Sequence, residues 1–190
     1  MDAAPTVEID ALTAAQVCAR FAITKEARSL LRDGMGPGPY IEVLLANKQY
    51  IAGIDFLAHA LPPREGVWWG CLCFQHACGE EMSALDRAAA KATVEWLLRP
   101  GDEARFAAKC QGEAAGPFSV VGSLAMAAYQ AGPNLISPNG LPIPMPPFAT
   151  AKAVANAVKL ACAKCDPPRI IAVQKSFVEL GVGVAGGQFV

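Results

Sequence analysis

A chain of 190 residues is long enough for one domain, and it can bury a sizeable core without a disulfide or a metal ion. Hydrophobic residues make up 53% of it, much of this being alanine, the residue with the highest helix propensity, so the composition favours helices over disorder. The 16 Lys and Arg residues are balanced by 17 Asp and Glu residues, which excludes the strongly basic surface of a nucleic-acid-binding protein.

Apolar residues recur at helical spacing through most of the chain, after an extended or flexible lead over residues 1–12. Thr13, Thr24 and Ser83 stand where they can cap helices, and prolines and glycines mark the breaks between segments. No alternating strand pattern is present. We therefore predict an all-α single domain over 1–190, as a helical bundle or short helical stack of about eight helices.

One predicted helix, over residues 63–78, is apolar around so much of its circumference that we expect it to be central. Trp68 and Trp69 are adjacent in it, and their side chains point about 100° apart on a helix. We expect one tryptophan to fill the core and the other to lie nearer its edge.

A proline-rich loop over residues 132–149 interrupts the helical pattern, with five prolines between positions 137 and 148. Proline lacks a backbone donor and restricts the residue before it, so we expect neither a helix nor a central strand there. The glycine-rich tail, residues 181–190, either extends the last helix or frays.

Cysteines form two candidate chemical sites. Cys71, Cys73, His76 and Cys78 resemble a zinc ligand set, but helix positions i and i+2 point about 200° apart. The C-x-x-C pair Cys162–Cys165 ends a predicted helix, where the helix dipole disfavours a thiolate. We expect core packing with no metal and no cofactor; a cysteine-based metal-binding or thiol-redox protein is the alternative.

The sequence contains no recognisable set of catalytic residues. The two histidines, His59 and His76, lie in predicted helices, and no G-x-S-x-G nucleophile motif is present. The glycine run 34–38 lacks the lysine that phosphate-binding loops need. We therefore expect a protein that is not an enzyme.

Candidate partner-binding residues lie in the tryptophan segment and in the proline-rich loop. They are Arg64, Glu65, Trp68, Trp69, Leu141, Pro142, Pro144 and Pro146. Large aromatic side chains supply most of the energy at many protein interfaces, and proline segments offer rigid extended edges. The alternative for these residues is structural, with the tryptophans in the core and Arg64 and Glu65 bonded to neighbouring helix ends.

The motif R-E-x-V-W-W over residues 64–69, the C-L-C run after it, and a second Trp-bearing helix that ends at Pro100 carry a resemblance. Together with the proline-rich loop, they resemble an uncharacterised family of small Ala-rich bacterial proteins associated with contractile type VI secretion gene clusters. The resemblance spans about residues 60–180 and implies no catalytic residue. It implies an adaptor or chaperone-like accessory that binds a secreted effector or another secretion-system component.

Location follows from the start of the sequence and from its hydropathy. The first 16 residues have neither the basic nor the apolar region of a secretory signal, and the seven cysteines are an odd number, typical of free thiols. The uncharged stretch between Glu113 and Lys152 has too short a periodic part to span a bilayer. We expect a cytoplasmic protein with a protein partner, which includes a second copy of itself, and neither membrane nor nucleic acid.

Overall fold

The structure is a computed structural model, and it describes residues 12–78, 82–136 and 140–188. Apart from Leu12, the predicted lead lies outside the described residues. The helices of the described chain are α1 (Ala14–Cys18), α2 (Lys25–Ser29), α3 (Pro37–Ala46), α4 (Tyr50–Ala60), α5 (Pro63–Cys78), α6 (Ala84–Leu98), α7 (Asp102–Ala115), α8 (Val120–Gln130), α9 (Ala149–Ala163) and α10 (Ile170–Ala185). Two short strands, β1 (Asn134–Ile136) and β2 (Pro142–Pro144), and a 3₁₀ turn over Pro167–Arg169 complete them.

The predicted caps are confirmed. The hydroxyls of Thr13, Thr24 and Ser83 each accept a backbone N–H from the first turn of α1, α2 and α6, respectively. A fourth cap, Ser119, was not predicted and starts α8 at Val120, three residues after Pro117. These hydroxyls satisfy donors that a helix start otherwise leaves without a partner, and so they set where each helix begins.

Helix α5 is central, as its broad apolar surface predicts. It packs against α6, α8, α9 and α10, while α9 packs against α4, α5, α8 and α10. Helices α6 and α7 lie on α8, and α3 and α1 lie on α4. Buried side chains from all ten described helices form one hydrophobic cluster, which confirms the all-α prediction.

Helix α8 approaches the end of α7 so closely that small residues are required. A Cβ atom built on Gly122 would lie on the carbonyl oxygen of Gly116, and one built on Gly112 would lie 2.8 Å from the Ala125 Cβ. The run of small residues in α8 therefore permits close packing, which explains why this uncharged helix is buried over most of its length.

The described chain has ten helices where about eight were expected. The segment that follows Pro39 is divided between α3 and α4 at Asn47, and Lys48 adopts the left-handed conformation with φ 58°. Gly53 does not interrupt α4 and packs against Val178. At the other end, the predicted tail continues α10 as far as Ala185 rather than fraying.

The proline-rich loop contains two short strands, both of them edges, whereas its proline content predicted only that no helix or central strand would form there. Strands β1 and β2 pair antiparallel, with Leu135 opposite Ile143, and the Met145 N–H donates to the Pro133 carbonyl at 3.0 Å. The two-stranded sheet tolerates Pro142 and Pro144 because both strands are edges, where a missing N–H leaves no ladder partner unsatisfied. Residues 137–139, at its turn, lie outside the described residues.

In the parts of the chain that the structure describes, no helix combines the length and the hydropathy that a membrane span requires.

Candidate functional site

The two adjacent tryptophans of α5 have different environments. Trp69 is completely buried, and its indole Nε1–H donates to the Phe177 carbonyl of α10 at 2.8 Å. Trp68 is only partly buried and lines a mainly apolar cleft of about 410 Å³ with side chains of α5, α6 and α8. The expectation of one core and one edge tryptophan is confirmed. Trp69 was wrongly predicted to bind a partner, because a side chain with no accessible surface cannot contact one.

Arg64 and Glu65 lie in the first turn of α5, and Arg64 contacts the end of α6. The Arg64 side chain is exposed, but its Nε–H donates to the Leu97 carbonyl at the end of α6, at 2.8 Å. Glu65 is half-buried, and burial raises the pKa of its carboxyl. Arg64 therefore joins two helix ends, which is the structural alternative left open by the sequence.

The candidates in the proline-rich loop are all exposed: Leu141, Pro142, Pro144 and Pro146. Three further apolar residues of the same segment are also exposed, namely Ile136, Ile143 and Phe148. Exposed fractions are 61% for Leu141 and 48% for Ile143, which are high values for large aliphatic side chains. We call the side chains of Leu141 and Ile143, which are two positions apart and so point to one face of the hairpin, the hairpin surface.

A buried arginine fixes the base of this hairpin. The Arg105 Nη1–H donates to the carbonyls of Tyr129 and Asn134, both at 3.0 Å, and its Nη2 lies 2.9 Å from Asp102 Oδ1. The Tyr129 hydroxyl in turn accepts the Ile136 N–H at 3.1 Å. Strand β1 is thereby bonded to α7 and α8. No local pattern predicts this role, because a single arginine in a helix is normally a surface residue.

A second cavity, of about 240 Å³, lies between the proline-rich loop and the helices, and we call it the His59 cavity. Pro146 and Phe148 line it from the loop, His59 from α4 and Gln130 from α8. Trp68 belongs to the other cleft, and no residue lines both. Pro63 and Gly66 of α5 also line the His59 cavity, but of the predicted partner-binding residues only Pro146 lines this cavity and only Trp68 lines the other cleft.

His59 is buried, with 4% of its surface exposed. Its Nδ1 lies 2.8 Å from the Asp55 carbonyl, and its ring stacks on Phe21 at 4.9 Å between centroids. Burial lowers the pKa of the imidazole, which is therefore neutral at pH 7. Arg20 donates from Nη1 to the His59 carbonyl at 2.9 Å, and its guanidinium lies 5.3 Å from the centre of the Phe148 ring.

Two buried side-chain polar atoms belong to residues that line this cavity. His59 Nε2 and Gln130 Oε1 are both buried, and neither finds a hydrogen-bond partner in the described part of the chain. Sequence reasoning missed both residues. A lone histidine in a helical pattern carries no signal, and only the packed structure brings α4 and α8 to one cavity.

The cysteine sites do not assemble into reactive centres in the residues described. Burial raises the pKa of Cys71 and of Cys162 to about 12, and that of Cys73 well above its usual value, so these thiols are protonated. His76 is exposed. The side chain of Cys78 lies outside the described residues, and within them no group of three or more His, Cys, Asp or Glu residues is arranged to hold a metal ion.

Comparison with known proteins gives a family but no activity. No curated protein and no solved structure matches the chain. A model of DUF6931, a family of unknown function, matches residues 40–185, which include every element from α4 to α10 and both cavities' main walls. The match covers well over half of the chain, and the protein belongs to the DUF6931 family.

Proposed function

We propose that this chain is a non-enzymatic interaction protein that binds a protein partner through the hairpin surface. It acts in the cytoplasm as an adaptor or chaperone-like accessory of a bacterial secretion system. Its partner is a secreted effector or another component of that system.

The observation that carries the proposal is a set of exposed apolar side chains on a fixed base. Leu141 and Ile143 are exposed, yet the strand beside them is bonded through Arg105 to α7 and through Tyr129 to α8. A pre-ordered apolar surface loses little conformational entropy when it binds, which raises affinity for a given contact area. Such a surface supports binding better than a loop that must first become ordered.

Side chains, rather than backbone, carry the recognition. A peptide that adds a strand to a sheet needs N–H donors on the free edge. Strand β2 has proline at positions 142 and 144, so Ile143 alone keeps an N–H, and Ile143 is paired with Leu135. The free edge of β2 therefore offers no donor, and a partner is bound through Leu141, Ile143 and their neighbours.

The cysteine-based alternative receives less support. Thiol chemistry and metal binding need thiolates, and burial keeps Cys71, Cys73 and Cys162 protonated. The secretion part of the proposal rests on the resemblance carried by residues 64–69 and the proline-rich loop.

The test is affinity capture from the native host with the double variant Leu141→Ser, Ile143→Ser as bait. Its control is Leu98→Ser, which removes a still more exposed leucine (71%) at the end of α6. We expect wild type and control to retain one protein encoded near a secretion gene cluster, and the double variant to lose it. Equal capture by all three baits would place the binding site elsewhere. If the retained protein is a second copy of this chain, the partner is the chain itself.

A further inference from the structure

The His59 cavity holds two buried polar atoms that the described chain leaves without a partner. His59 Nε2 belongs to α4, and Gln130 Oε1 belongs to the end of α8. More than nine in ten buried polar groups in proteins are hydrogen-bonded, because a lost partner costs the full desolvation of the group. Two such atoms from different helices in one cavity indicate that something polar completes it.

The bonding of His59 fixes what that group must be. The Asp55 carbonyl can only accept, so the Nδ1 at 2.8 Å carries the ring proton and donates it. Nε2 then holds a lone pair. Burial is the largest effect on the pKa of the ring and lowers it, which outweighs the Asp55 carbonyl and carboxylate that favour protonation; Lys152 and Arg20 lower the pKa further. His59 therefore presents a hydrogen-bond acceptor, which calls for a donor on the ligand.

The rest of the cavity defines the charge and size of that ligand. The Arg20 guanidinium lines the cavity and disfavours a cation, while the Asp55 carboxylate, which would favour one, is paired with Lys159 at 2.7 Å. An anionic carboxylate has no proton to donate to Nε2 or to Gln130 Oε1. The apolar side chains of Leu61, Met145 and Phe148 line the remainder. A volume of about 240 Å³ lies below the usual range for drug-sized ligands, so the occupant is small.

We propose that the His59 cavity binds a small uncharged molecule, with a planar or apolar body, whose amide or hydroxyl group donates a hydrogen bond to His59 Nε2. The Gln130 side chain accepts a second bond where the ligand has a second proton, as a primary amide does. This site is separate from the hairpin surface in chemistry, and it does not depend on the proposed partner binding.

Access to Nε2 requires a side chain to move, because the atom is buried. The Phe148 ring lies 6.2 Å from the His59 ring and is 43% exposed, so it can turn outward with less loss of contact than the stacked Phe21. Once the ligand is bound, the hydrogen bond is shielded from water. A shielded hydrogen bond is stronger than one at the surface.

The test uses three probes of equal heavy-atom count: benzamide, acetophenone and benzoate. They share a phenyl ring and a carbonyl, but only benzamide is a neutral donor. Binding is followed by the side-chain ¹⁵N resonances of the two histidines, assigned with His76→Gln. We expect benzamide to bind saturably and to shift the His59 Nε2 resonance. Acetophenone and benzoate are expected to bind about tenfold more weakly or not at all, since one buried hydrogen bond is worth about a factor of ten.

The variant His59→Asn is chosen to remove the imidazole Nε2 acceptor while preserving the fold. His59→Asn retains a side-chain donor for the carbonyl four residues earlier, as Asn47 does in this protein by donating to the Val43 carbonyl at 2.8 Å. It is expected to weaken benzamide about tenfold, whereas His76→Gln leaves benzamide binding unchanged. The comparison of the three probes on the wild-type chain tests the proposal even without a variant.

Four results would overturn the proposal. Benzamide that does not bind saturably would mean that ordered water alone completes the site. Equal binding of benzamide and acetophenone, or tighter binding of benzoate, would contradict the donor role. Undiminished binding by a folded His59→Asn chain would remove His59 from the site. A His59 resonance that moves in Gln130→Met without any probe would show that the two side chains bond to each other.

Discussion

Residues with the same local sequence context differ in what they do here, and Trp68 and Trp69 show it most directly. Both follow Val67 in one helical turn, but Trp69 reaches α10 and bonds to the Phe177 carbonyl, while Trp68 lines the cleft beside α6 and α8. Helix geometry alone predicts that the two diverge. Which of them is buried depends on the position of α10, which comes from the far end of the chain.

The first prediction compares alanine substitutions of the two tryptophans. Trp69→Ala is expected to lower the free energy of unfolding by about 3–5 kcal/mol, because it leaves a large cavity in the core. Trp68→Ala is expected to cost clearly less, since its side chain is partly exposed already. Urea unfolding followed by circular dichroism measures both. Equal losses for the two variants would contradict the assignment of Trp69 alone to the core.

The second prediction concerns the pH dependence of stability that His59 causes. Burial holds its pKa below the usual value in the folded state, so between the folded and unfolded pKa values only the unfolded chain takes up this proton. The free energy of unfolding should therefore fall as the pH drops below about 6.5, the ordinary histidine pKa, and level off below the folded pKa.

The His59→Asn variant isolates this contribution from those of other groups. Denaturant unfolding at pH 7.5, 6.5 and 5.5 should show a steeper loss of stability on acidification for wild type than for His59→Asn. Parallel pH profiles for the two chains would show that His59 titrates as freely in the folded protein as in the unfolded one.

Helix elements were predictable where the signals are local, and the hairpin was not. Thr13 and Thr24 cap helices through bonds within four residues, so the sequence contains the whole interaction. Strand β1, in contrast, depends on Arg105 and Tyr129 from two other elements, and the proline content of the loop argued only against a helix or a central strand. His59 and Gln130 were missed for the same reason, because their convergence is a product of helix packing.

The third prediction tests the packing of α10 against α4 and α5. A Cβ on Gly181 would lie 2.8 Å from Leu57 Cδ1 and 2.9 Å from Trp69 Cε2. Gly181→Ala should therefore lower stability by about 1–3 kcal/mol, although alanine favours the helix itself. Gly186→Ala, at the end of the same helix, meets nothing nearer than 3.6 Å and should leave the melting temperature unchanged or higher. A stabilised Gly181→Ala chain would contradict the close contact.

The molecule as a whole has one hydrophobic core to which all ten described helices contribute, and several of its cysteines belong to that core. Composition and periodicity predict this much, since helices with apolar stripes are stabilised when they bury those stripes against one another, and free cysteines pack as small hydrophobic residues. The exposed apolar hairpin is the departure from that pattern, and departures of this kind mark binding surfaces.

The fourth prediction follows from cysteine burial. In the native protein Cys110, which is exposed, should react promptly with a thiol reagent at pH 8, while Cys18, Cys73 and Cys162 should react only as the chain unfolds. Denatured protein should show seven thiols, and elemental analysis should find no zinc. Rapid native labelling of Cys73, located by mass spectrometry, or one retained zinc per chain, would revive the cysteine-based function.

The most direct measurement of the central claim is calorimetric titration of the purified partner into wild type, Leu98→Ser and the double variant Leu141→Ser, Ile143→Ser. The account predicts that the double variant binds at least about tenfold more weakly, a loss of about 1.4 kcal/mol, because interface side chains that are truncated in the centre of a contact cost this much or more. All three chains should melt at the same temperature, since the changed side chains are exposed. Wild-type affinity in the folded double variant would contradict partner binding through the hairpin surface.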